Sequence, residues 1–297
     1  MTEVSFITIN YNSSAYTIKL IESIQQQTTV SYEIIVIDNN SSSKDKKHIS
    51  KYCQKENINF IQNERNCGFA CANMIGAKHA KGKYLFFINN DTLLLNDTAK
   101  FLKQYLEEHD DIALATAKIY DDNHLFHSSY KLFPSLMKEL FGNSITRLLK
   151  KFPSNKVELS SPSAVEVVSG SCMFFKNTIF KAINGFDTNF FLYCEEEDIS
   201  KRVWKEGYKV YFIPEANIYH KGGGSSSQNF ELLKEYYISY TYLIFKHFNK
   251  FTAIILYLLM GIKILRRSIK KPLYRELIPF LFKGFSREYS LKVKYEN

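Results

Sequence analysis

Short apolar runs alternate with segments of helical periodicity in the first 120 residues, and this alternation constrains the fold more than any other feature. The runs are rich in β-branched and aromatic residues and cover residues 4–9, 33–37, 58–61, 84–88 and 112–117. Between the first two runs, Ile18, Ile21 and Ile24 recur at the spacing of one helix face. Short strands alternating with helices predict an α/β domain whose mixed, mostly parallel sheet is flanked by helices.

Polar side chains follow four of these predicted strands, at residues 10–12, 38–41, 63–66 and 89–91. Taken singly, each cluster is typical of a turn or a helix N-cap. Ligands of open α/β sheets, however, bind beyond the carboxyl ends of the strands. Four clusters in the same position relative to their strands therefore predict a binding site at this edge of the sheet.

The positive charge of the chain is concentrated near its end. The formal net charge is +9, and residues 246–297 hold 12 Lys or Arg against three acids, leaving 27 charges of each sign elsewhere. A neutral body argues against binding of nucleic acid over the protein surface.

Five scattered cysteines without a C-x-x-C pair argue against a disulfide framework or a thiolate zinc site. The chain enters its first predicted strand without a secretory leader, so we expect a cytoplasmic protein.

The sequence predicts two regions, an α/β domain at residues 1–228 and a basic, amphipathic helical region at residues 229–297. A helix is expected at residues 136–151, and the GGGSSS stretch at 222–227 is expected to be a mobile loop. In the tail, Phe251, Ile255, Leu258 and Ile262 follow helical spacing. Their run at 251–262 is shorter than the roughly 20 residues needed to span a bilayer.

Basic amphipathic helices of this kind suit an anionic membrane surface. The alternative is a pair of helices packed on the α/β domain or on a second copy of the chain, giving a homodimer. If the tail binds the membrane and does not pack on the α/β domain or on a second copy, we expect it to be dispensable for the chemistry of the α/β domain.

Seven sequence segments together resemble the inverting family-2 glycosyltransferases, which have the GT-A fold. These are INYN at 9–12, IVIDNNSS at 35–42, NERNCGFA at 63–70 followed by Asn73 and Gly76, LFFINND at 85–91, GFD at 185–187, FFLYCEEED at 190–198 and His220. The greatest similarity is to bacterial rhamnosyltransferase-like members that build O-antigens and capsules. The resemblance extends from about residue 4 to residue 227 and leaves only the basic tail outside it.

The resemblance implies a nucleotide-diphospho sugar donor and a Mn²⁺ or Mg²⁺ ion that neutralises the leaving diphosphate. Residues 89–91 occupy the position of the family's Asp-x-Asp-like triplet, and Asp91 is its only charged member. Asp91 and His220 are the implied metal ligands. The residues implied to bind the nucleotide sugar are Tyr11, Asn12, Asp38, Asn39, Arg65, Asn66, Gly68, Phe69, Asn73, Asn89 and Asn90.

Four consecutive acids at 195–198 open a predicted helix. Acids are favoured at a helix N-terminus, but four neighbouring carboxylates repel one another and capping needs fewer. Inverting transfer requires a base that deprotonates the acceptor hydroxyl. By the family's register Glu196 is this base, with Glu195 and Asp198 as the alternatives. Ser169, Gly170 and Trp204 are implied to border the acceptor pocket.

These features predict an inverting, metal-dependent enzyme that transfers a single sugar from a UDP- or dTDP-sugar, dTDP-rhamnose among them, to a glycan or lipid-linked glycan in cell-surface polysaccharide synthesis. The Gln-x-x-Arg-Trp motif of processive synthases does not occur. The expected location is peripheral, on the inner face of the cytoplasmic membrane. One alternative is a sugar nucleotidyltransferase, but that class would need a Gly-rich phosphate loop near residue 10, and the sequence has none there. Another is a catalytically silent, nucleotide-sugar-binding subunit of a polysaccharide assembly complex.

Overall fold

The structure is a computed structural model that describes residues 2–150, 152, 158–222 and 229–296. Within this part of the chain, ten strands form one mixed sheet in the order β3-β2-β1-β4-β11-β6-β12-β5, with β7 beside β6 and β9 beside β12. Strands β8 and β10 form a separate pair. The strands are β1 Val4–Asn10, β2 Tyr32–Asp38, β3 Asn59–Gln62, β4 Tyr84–Ile88, β5 Thr92–Leu94, β6 Ile112–Tyr120, β7 Phe126–His127, β8 Tyr130–Lys131, β9 Ser163–Ala164, β10 Val167–Val168, β11 Cys172–Lys176 and β12 Lys209–His220.

The five apolar runs identified in the sequence are strands β1, β2, β3, β4 and β6, so the predicted alternation is confirmed. Strands β1 to β4 are parallel to one another, with β1 pairing β2 and β4 and with β2 pairing β3. Strand β11 runs antiparallel between β4 and β6 and makes the sheet mixed. The carboxyl ends of β1 to β4 therefore lie at one edge, as the polar clusters predict.

Helices follow or precede most strands. They are α1 Ser14–Gln27, α2 Ser43–Lys55, α3 Gly68–His79, α4 Thr98–Glu108, α5 Leu136–Leu149, α6 Asn177–Ala182, α7 Glu195–Lys205, α8 Phe230–His247, α9 Lys250–Ser268, α10 Pro272–Arg275, α11 Ile278–Lys283 and α12 Leu291–Glu296, with a 3₁₀ turn at Arg287–Tyr289. Helix α5 is interrupted at Gly142, whose φ of 79° is open to glycine without strain. The predicted end of this helix at residue 151 and most of the 222–227 loop lie outside the described residues.

Two hydrophobic cores cover the two faces of the sheet, because successive residues of a strand point to opposite sides. Phe6 and Phe86 belong to the core under α1, α2 and α4. Their neighbours Ile7 and Phe87 belong to the other core, which also takes side chains from α3, α7, α8 and α9. Burying an aromatic or aliphatic side chain of this size contributes about 1.5–3 kcal/mol.

The tail helices are part of this second core. Leu256, Met260 and Ile264 of α9 are buried in it, as are Tyr237 and Ile244 of α8. Three such side chains together represent a large fraction of the roughly 5–15 kcal/mol by which a domain is stable. The tail helices therefore pack on the α/β domain, which is the alternative that the sequence left open beside binding to a membrane surface. The boundary predicted near residue 228 stays a prediction, and no helix among the described residues is long and apolar enough to span a bilayer.

Candidate active site

Asn10 ties the carboxyl ends of β1 and β2 together. Its amide nitrogen donates to Asp38 at 3.0 Å, to Ser41 Oγ at 3.1 Å and to Asp45 at 2.8 Å. Asp38 is fully buried, and its second carboxylate oxygen accepts from the backbone N–H of Ser41 at 3.1 Å. Because both oxygens of Asp38 have protein donors, this side chain fixes the loop that follows β2.

The loop after β3 is held against the segment before α7. Asn39 donates its side-chain amide to Asn66 Oδ1 at 2.7 Å, and the same oxygen accepts from the N–H of Gly68 at 3.0 Å. A Cβ on Gly68 would lie 2.2 Å from the carbonyl oxygen of Phe191, and the φ of Gly68 is +81°. Phe69 donates its N–H to the same carbonyl at 2.7 Å. Only glycine permits this close approach.

A cavity of about 570 Å³ opens at this edge of the sheet. Ten of the residues proposed from the sequence line it, namely Tyr11, Asn39, Asn66, Gly68, Phe69, Asn73, Asn89, Asn90, Asp91 and His220. Of the residues proposed to bind the nucleotide sugar, Asn12, Asp38 and Arg65 do not belong to this lining, and neither do the proposed catalytic acids Glu195, Glu196 and Asp198. Asn12 instead accepts from the N–H of Ser42 at 2.8 Å, beside the start of α2. The strand-end clusters thus converge on one cavity, although not through every side chain.

Asp91 and His220 lie together on the cavity wall. The antiparallel pairing of β12 with β5 places His220 opposite Thr92, and its Nε2 is 3.2 Å from an Asp91 carboxylate oxygen. Two ligands at about 2.1 Å in neighbouring octahedral positions are separated by about 3 Å, so the pair fits a small divalent cation. The described residues contain no cluster of three or more His, Cys, Asp or Glu suited to a metal. Most of the coordination shell would therefore come from phosphate oxygens and water.

Asn90 positions this corner of the cavity. Its side-chain amide donates to Ser13 Oγ at 2.6 Å and to Thr17 Oγ at 2.9 Å, which fixes the end of β4 against the start of α1. These two hydrogen bonds occupy the side-chain nitrogen of Asn90 and fix the orientation of this residue next to Asp91.

A tight turn presents the first turn of α7. Tyr193 and Cys194 both have left-handed backbones, with φ of 73° and 68°, a conformation that costs a non-glycine residue of order 1–3 kcal/mol. Glu196 then bonds to Lys131 Nζ at 2.8 Å, and the same ammonium contacts Glu197 at 2.5 Å. Two consecutive residues with strained, left-handed backbones, as at Tyr193 and Cys194, are typical of functional sites.

The acids of this turn have different pKa values. Burial raises the pKa of Glu196, but attraction to Lys131 more than offsets it, and the net pKa lies below its ordinary value. Burial, reinforced by repulsion from Glu196, raises the pKa of Glu195 well above its ordinary value. The pKa values of the two carboxyl groups are thus shifted in opposite directions, and Glu196 loses its proton more readily than Glu195.

Asp198 is in different surroundings. It is fully buried, and its oxygens contact His247 at 2.7 Å, Lys246 at 2.5 Å and Arg202 at 2.7 Å. Although burial raises the pKa of Asp198, the bond from His247 and the charges of Arg202 and Lys246 lower it to about 2. These contacts join α7 to the end of α8, so Asp198 anchors the tail helices to the sheet domain.

The three residues expected at the acceptor pocket have different surroundings. A Cβ on Gly170 would lie 3.8 Å from the carboxyl carbon of Glu196, and Ser169 precedes Gly170 with its Oγ 2.9 Å from Ser171 Oγ. Trp204 is eight residues beyond Glu196 on α7, which is about 12 Å along a helix axis. Its indole N–H donates to the carbonyl of Val165 at 3.3 Å, a packing contact.

The end of the chain contributes residues that the sequence did not indicate. Leu291, Lys294 and Tyr295 of α12 line the cavity, as does Phe191. Helix α12 is held in place by the buried Glu235, which accepts from the Leu291 N–H at 2.7 Å and from the hydroxyl of Ser290. A six-residue helix carries no periodic signal, and only the dense aromatic and basic residues of the tail hint at such a role.

Comparison with known proteins agrees with this architecture. The model of glycosyl transferase family 2 matches residues 5–183. The chain is 26% identical over 227 residues to the rhamnosyltransferase WbbL of Escherichia coli (strain K12), covering 73% of this chain and 83% of that relative. An uncharacterized glycosyltransferase of Rickettsia bellii is 30% identical over 180 residues, or 60% of this chain. The chain spans only 24% of the length of that rickettsial relative.

Two groups of solved structures have the same fold. GalNAc-T7 with UDP, GalNAc and Mn²⁺ superposes with a TM-score of 0.58 at 17% identity, covering 78% of this chain and 48% of that one. Residues 1–349 of Staphylococcus aureus TarS in complex with UDP give a TM-score of 0.56 at 17% identity, covering 88% and 71%. These likenesses confirm the predicted GT-A fold. With the family match spanning most of the sheet domain, the chain belongs to glycosyl transferase family 2.

Proposed function

We propose that the protein is an inverting glycosyltransferase that moves one sugar from a UDP- or dTDP-sugar to a hydroxyl of a cell-surface glycan precursor. The observation that carries this proposal is a candidate metal pair on the wall of a cavity that also reaches the turn before α7. The Asp91–His220 pair lies on this wall. Glu196 does not line the cavity itself but lies three residues beyond Tyr193, which does.

The aromatic side chains of the cavity would hold the base of the donor. Tyr11, Phe191 and Tyr295 line the cavity close to one another and offer ring faces, and the two tyrosines also offer hydroxyl groups. The amides of Asn39, Asn66 and Asn73 are suited to the ribose and phosphate oxygens. This nucleotide class is supported by the UDP in the solved structures of GalNAc-T7 and TarS, and WbbL is named a rhamnosyltransferase.

Asp91 and His220 would hold a Mn²⁺ or Mg²⁺ ion against the diphosphate. When bound, the ion supplies positive charge that stabilises the leaving nucleoside diphosphate. A single protein carboxylate would give the free protein low metal affinity, and the diphosphate of the donor would supply further oxygen ligands. Metal and donor are thus expected to bind together.

Glu196 would accept the proton of the acceptor hydroxyl. The acceptor oxygen forms a bond to the anomeric carbon while the carbon–oxygen bond to the diphosphate breaks, and the bonding electrons leave with the diphosphate. Attack from the opposite face inverts the configuration. Lys131 favours the ionised form of Glu196 before the reaction. Asp198 is instead engaged by His247 and by the cations Lys246 and Arg202, and burial favours the protonated form of Glu195.

The experiment that tests this function is the release of free nucleoside diphosphate from a panel of UDP- and dTDP-sugars with Mn²⁺, with and without a glycan acceptor. Release that requires both metal and acceptor supports the proposal. Tight nucleotide binding without release, across the full panel, would instead support the catalytically silent subunit. A peripheral location at the inner face of the cytoplasmic membrane belongs to the same proposal and is motivated by the outer face of α9.

A further inference from the structure

Helix α12 presents one of its faces to the cavity proposed for the donor. Leu291, Lys294 and Tyr295 line this cavity, and their spacing of three and four residues places them on the same side of the helix. Lys292 does not line the cavity, and its ammonium donates instead to the carbonyl of Thr188 at 2.9 Å. The helix therefore places one of its two lysines on the cavity and the other on a backbone carbonyl elsewhere.

The backbone that carries Lys294 is held near both ends of α12. At the start of the helix, the buried carboxylate of Glu235 accepts from the N–H of Leu291 at 2.7 Å. Near its end, the ring of Tyr295 stacks on that of Phe191. Lys294 thus projects from a fixed piece of backbone, and only its flexible four-carbon stem has to be ordered when its ammonium binds a ligand.

Lys294 gives this cavity a cation that has no partner in the protein. Of the described residues that line the cavity, it is the only Lys or Arg. Asp91 lies 3.2 Å from His220, and the other acid of the lining, Glu231, pairs with Lys234 of its own helix at 3.1 Å. Within the ranges that the structure describes, Lys294 forms no hydrogen bond and no ion pair, and its side chain is exposed. Its charge is therefore available to an anion in the cavity.

A second donor without an acceptor lines the same cavity. Asn73 of α3 is only 2% exposed, and its side-chain nitrogen has no hydrogen-bond partner among the described residues. Buried N–H groups are normally paired, so this one indicates an oxygen acceptor supplied by a ligand or by water. An amide N–H and an ammonium both bind phosphate oxygens. Two helices, α3 and α12, therefore each contribute an unpaired donor to one cavity.

Helix polarity alone does not account for the position of Lys294. A cation near the end of a helix complements the helix dipole, and Lys294 lies in the last turn of α12. This effect is small for a six-residue helix and is indifferent to the side of the helix on which the cation lies. It therefore leaves the placement of Lys294 on the cavity unexplained.

We propose that Lys294 binds the diphosphate of the nucleotide-sugar donor. The assignment rests on the proposed function and specifies how its donor is held. Tyr295 is the next residue on the same face, so a donor whose base lies against the aromatic rings has its phosphates within reach of the Lys294 ammonium. With Asp91 as the one charged residue of its triplet, the metal pair is poor in charged ligands, and Lys294 supplies positive charge that does not depend on the metal. Part of the affinity for the diphosphate is thus expected to persist without metal.

The test compares a nucleoside diphosphate with its nucleoside, using UDP with uridine and dTDP with thymidine. Binding to the full chain is measured by calorimetric titration in EDTA, so that the Asp91–His220 pair holds no metal. For at least one of the two pairs, the wild-type chain is expected to bind the diphosphate at least about tenfold more tightly than the nucleoside. Lys294→Gln is expected to lose about tenfold in affinity for the diphosphate and to keep its affinity for the nucleoside. Lys294→Arg, which keeps the charge, should retain most of the preference.

Lys292→Gln is the matched control, because it removes the same charge from the same helix at a residue that does not line the cavity. It should retain the preference for the diphosphate. The proposal is overturned if neither diphosphate is preferred by the wild-type chain in EDTA, or if Lys294→Gln keeps the preference. It is also overturned if Lys292→Gln loses as much as Lys294→Gln, since the general charge of the tail would then be the cause. A loss of nucleoside affinity equal to that of diphosphate affinity in Lys294→Gln overturns it as well, because the variant would then have displaced α12.

The titration separates this assignment from the proposed function because it contains no metal, no sugar and no acceptor. UDP and dTDP carry no sugar, so a preference for them cannot come from an acidic group on the transferred sugar. If the preference depends on Lys294 but no donor is turned over, the diphosphate assignment stands and the reaction does not. If nucleoside diphosphate is released in the transfer assay but Lys294→Gln binds UDP and dTDP as the wild-type chain does, only the assignment of Lys294 fails.

Discussion

The ring of Tyr295 lies parallel to that of Phe191, with centroids 5.7 Å apart and an interplanar angle of 11°. The hydroxyl of Tyr295 is 3.4 Å from that of Tyr11, at the opposite end of the sequence. Helix α12 therefore forms part of the wall of the cavity that we propose for the donor. A segment outside the family resemblance thus contributes to this cavity.

We expect Tyr295→Ala to weaken binding of the nucleoside diphosphate by about tenfold. Stacking of a base on an aromatic side chain is worth about 1–3 kcal/mol, and tenfold corresponds to about 1.4 kcal/mol. The measurement is a calorimetric titration with UDP and with dTDP in Mn²⁺. Tyr295→Phe is the control, since it keeps the ring and removes the hydroxyl near Tyr11. Equal affinities for wild type and Tyr295→Ala would exclude the tail helix from the donor site.

The sequence predicts the framework of this site better than its periphery. Runs such as residues 4–9 and 84–88 are recognisable because strand and helix periods are local properties. The strand-end residues Asn39 and Asn66 could be assigned to the site from the sequence because they follow strands that this local periodicity identifies. The contact between Tyr11 and Tyr295 joins residues 284 positions apart and depends on tertiary packing, for which a single sequence has no signal. Lys131 lies in a two-residue strand and was missed because short strands lack periodicity.

Gly68→Ala is expected to damage both folding and donor binding. The new methyl group would lie 2.2 Å from the Phe191 carbonyl oxygen, so the loop must move, and the left-handed backbone adds strain. We expect a loss of about 3 kcal/mol or more in the free energy of unfolding, measured by urea titration. Gly142→Ala is the matched control, because Gly142 also has a positive φ but nothing within 4 Å of the added Cβ. That variant should lose about 1 kcal/mol. Equal losses in the two variants would remove the close approach as the cause.

The ion pair between Lys131 and Glu196 makes a prediction for the pH dependence of transfer. Burial alone raises the pKa of Glu196, and Lys131 lowers it below its ordinary value. Without Lys131 the pKa rises, so the base becomes protonated at a higher pH. The acidic limb of the kcat/KM profile of Lys131→Gln should therefore move to higher pH. Lys150→Gln, which removes the exposed partner of Glu166, should leave the profile in place. An unmoved acidic limb in Lys131→Gln would show that Lys131 does not tune the base.

Asp91→Asn is expected to raise the half-saturating Mn²⁺ concentration for transfer at least about tenfold, since metal affinity depends on the charge of the ligands. His220→Ala removes a neutral ligand and should have a smaller effect. Asp122→Asn is the control, because this exposed carboxylate contacts Tyr219 next to His220 without facing the donor cavity. A Mn²⁺ titration of the three variants decides the matter. If the metal dependence of Asp91→Asn equals that of wild type, Asp91 is not a metal ligand.

The measurement that tests the account most directly compares turnover and donor affinity in Glu196→Gln. The amide keeps the size of the side chain but cannot accept the proton, so we expect kcat to fall by about 10²–10⁴ while the donor Kd is unchanged. Glu195→Gln, next to the proposed base, should retain far more activity. Near-native turnover in Glu196→Gln, together with loss of turnover in a folded Glu195→Gln or Asp198→Asn, would contradict the assignment of the base and with it the proposed mechanism.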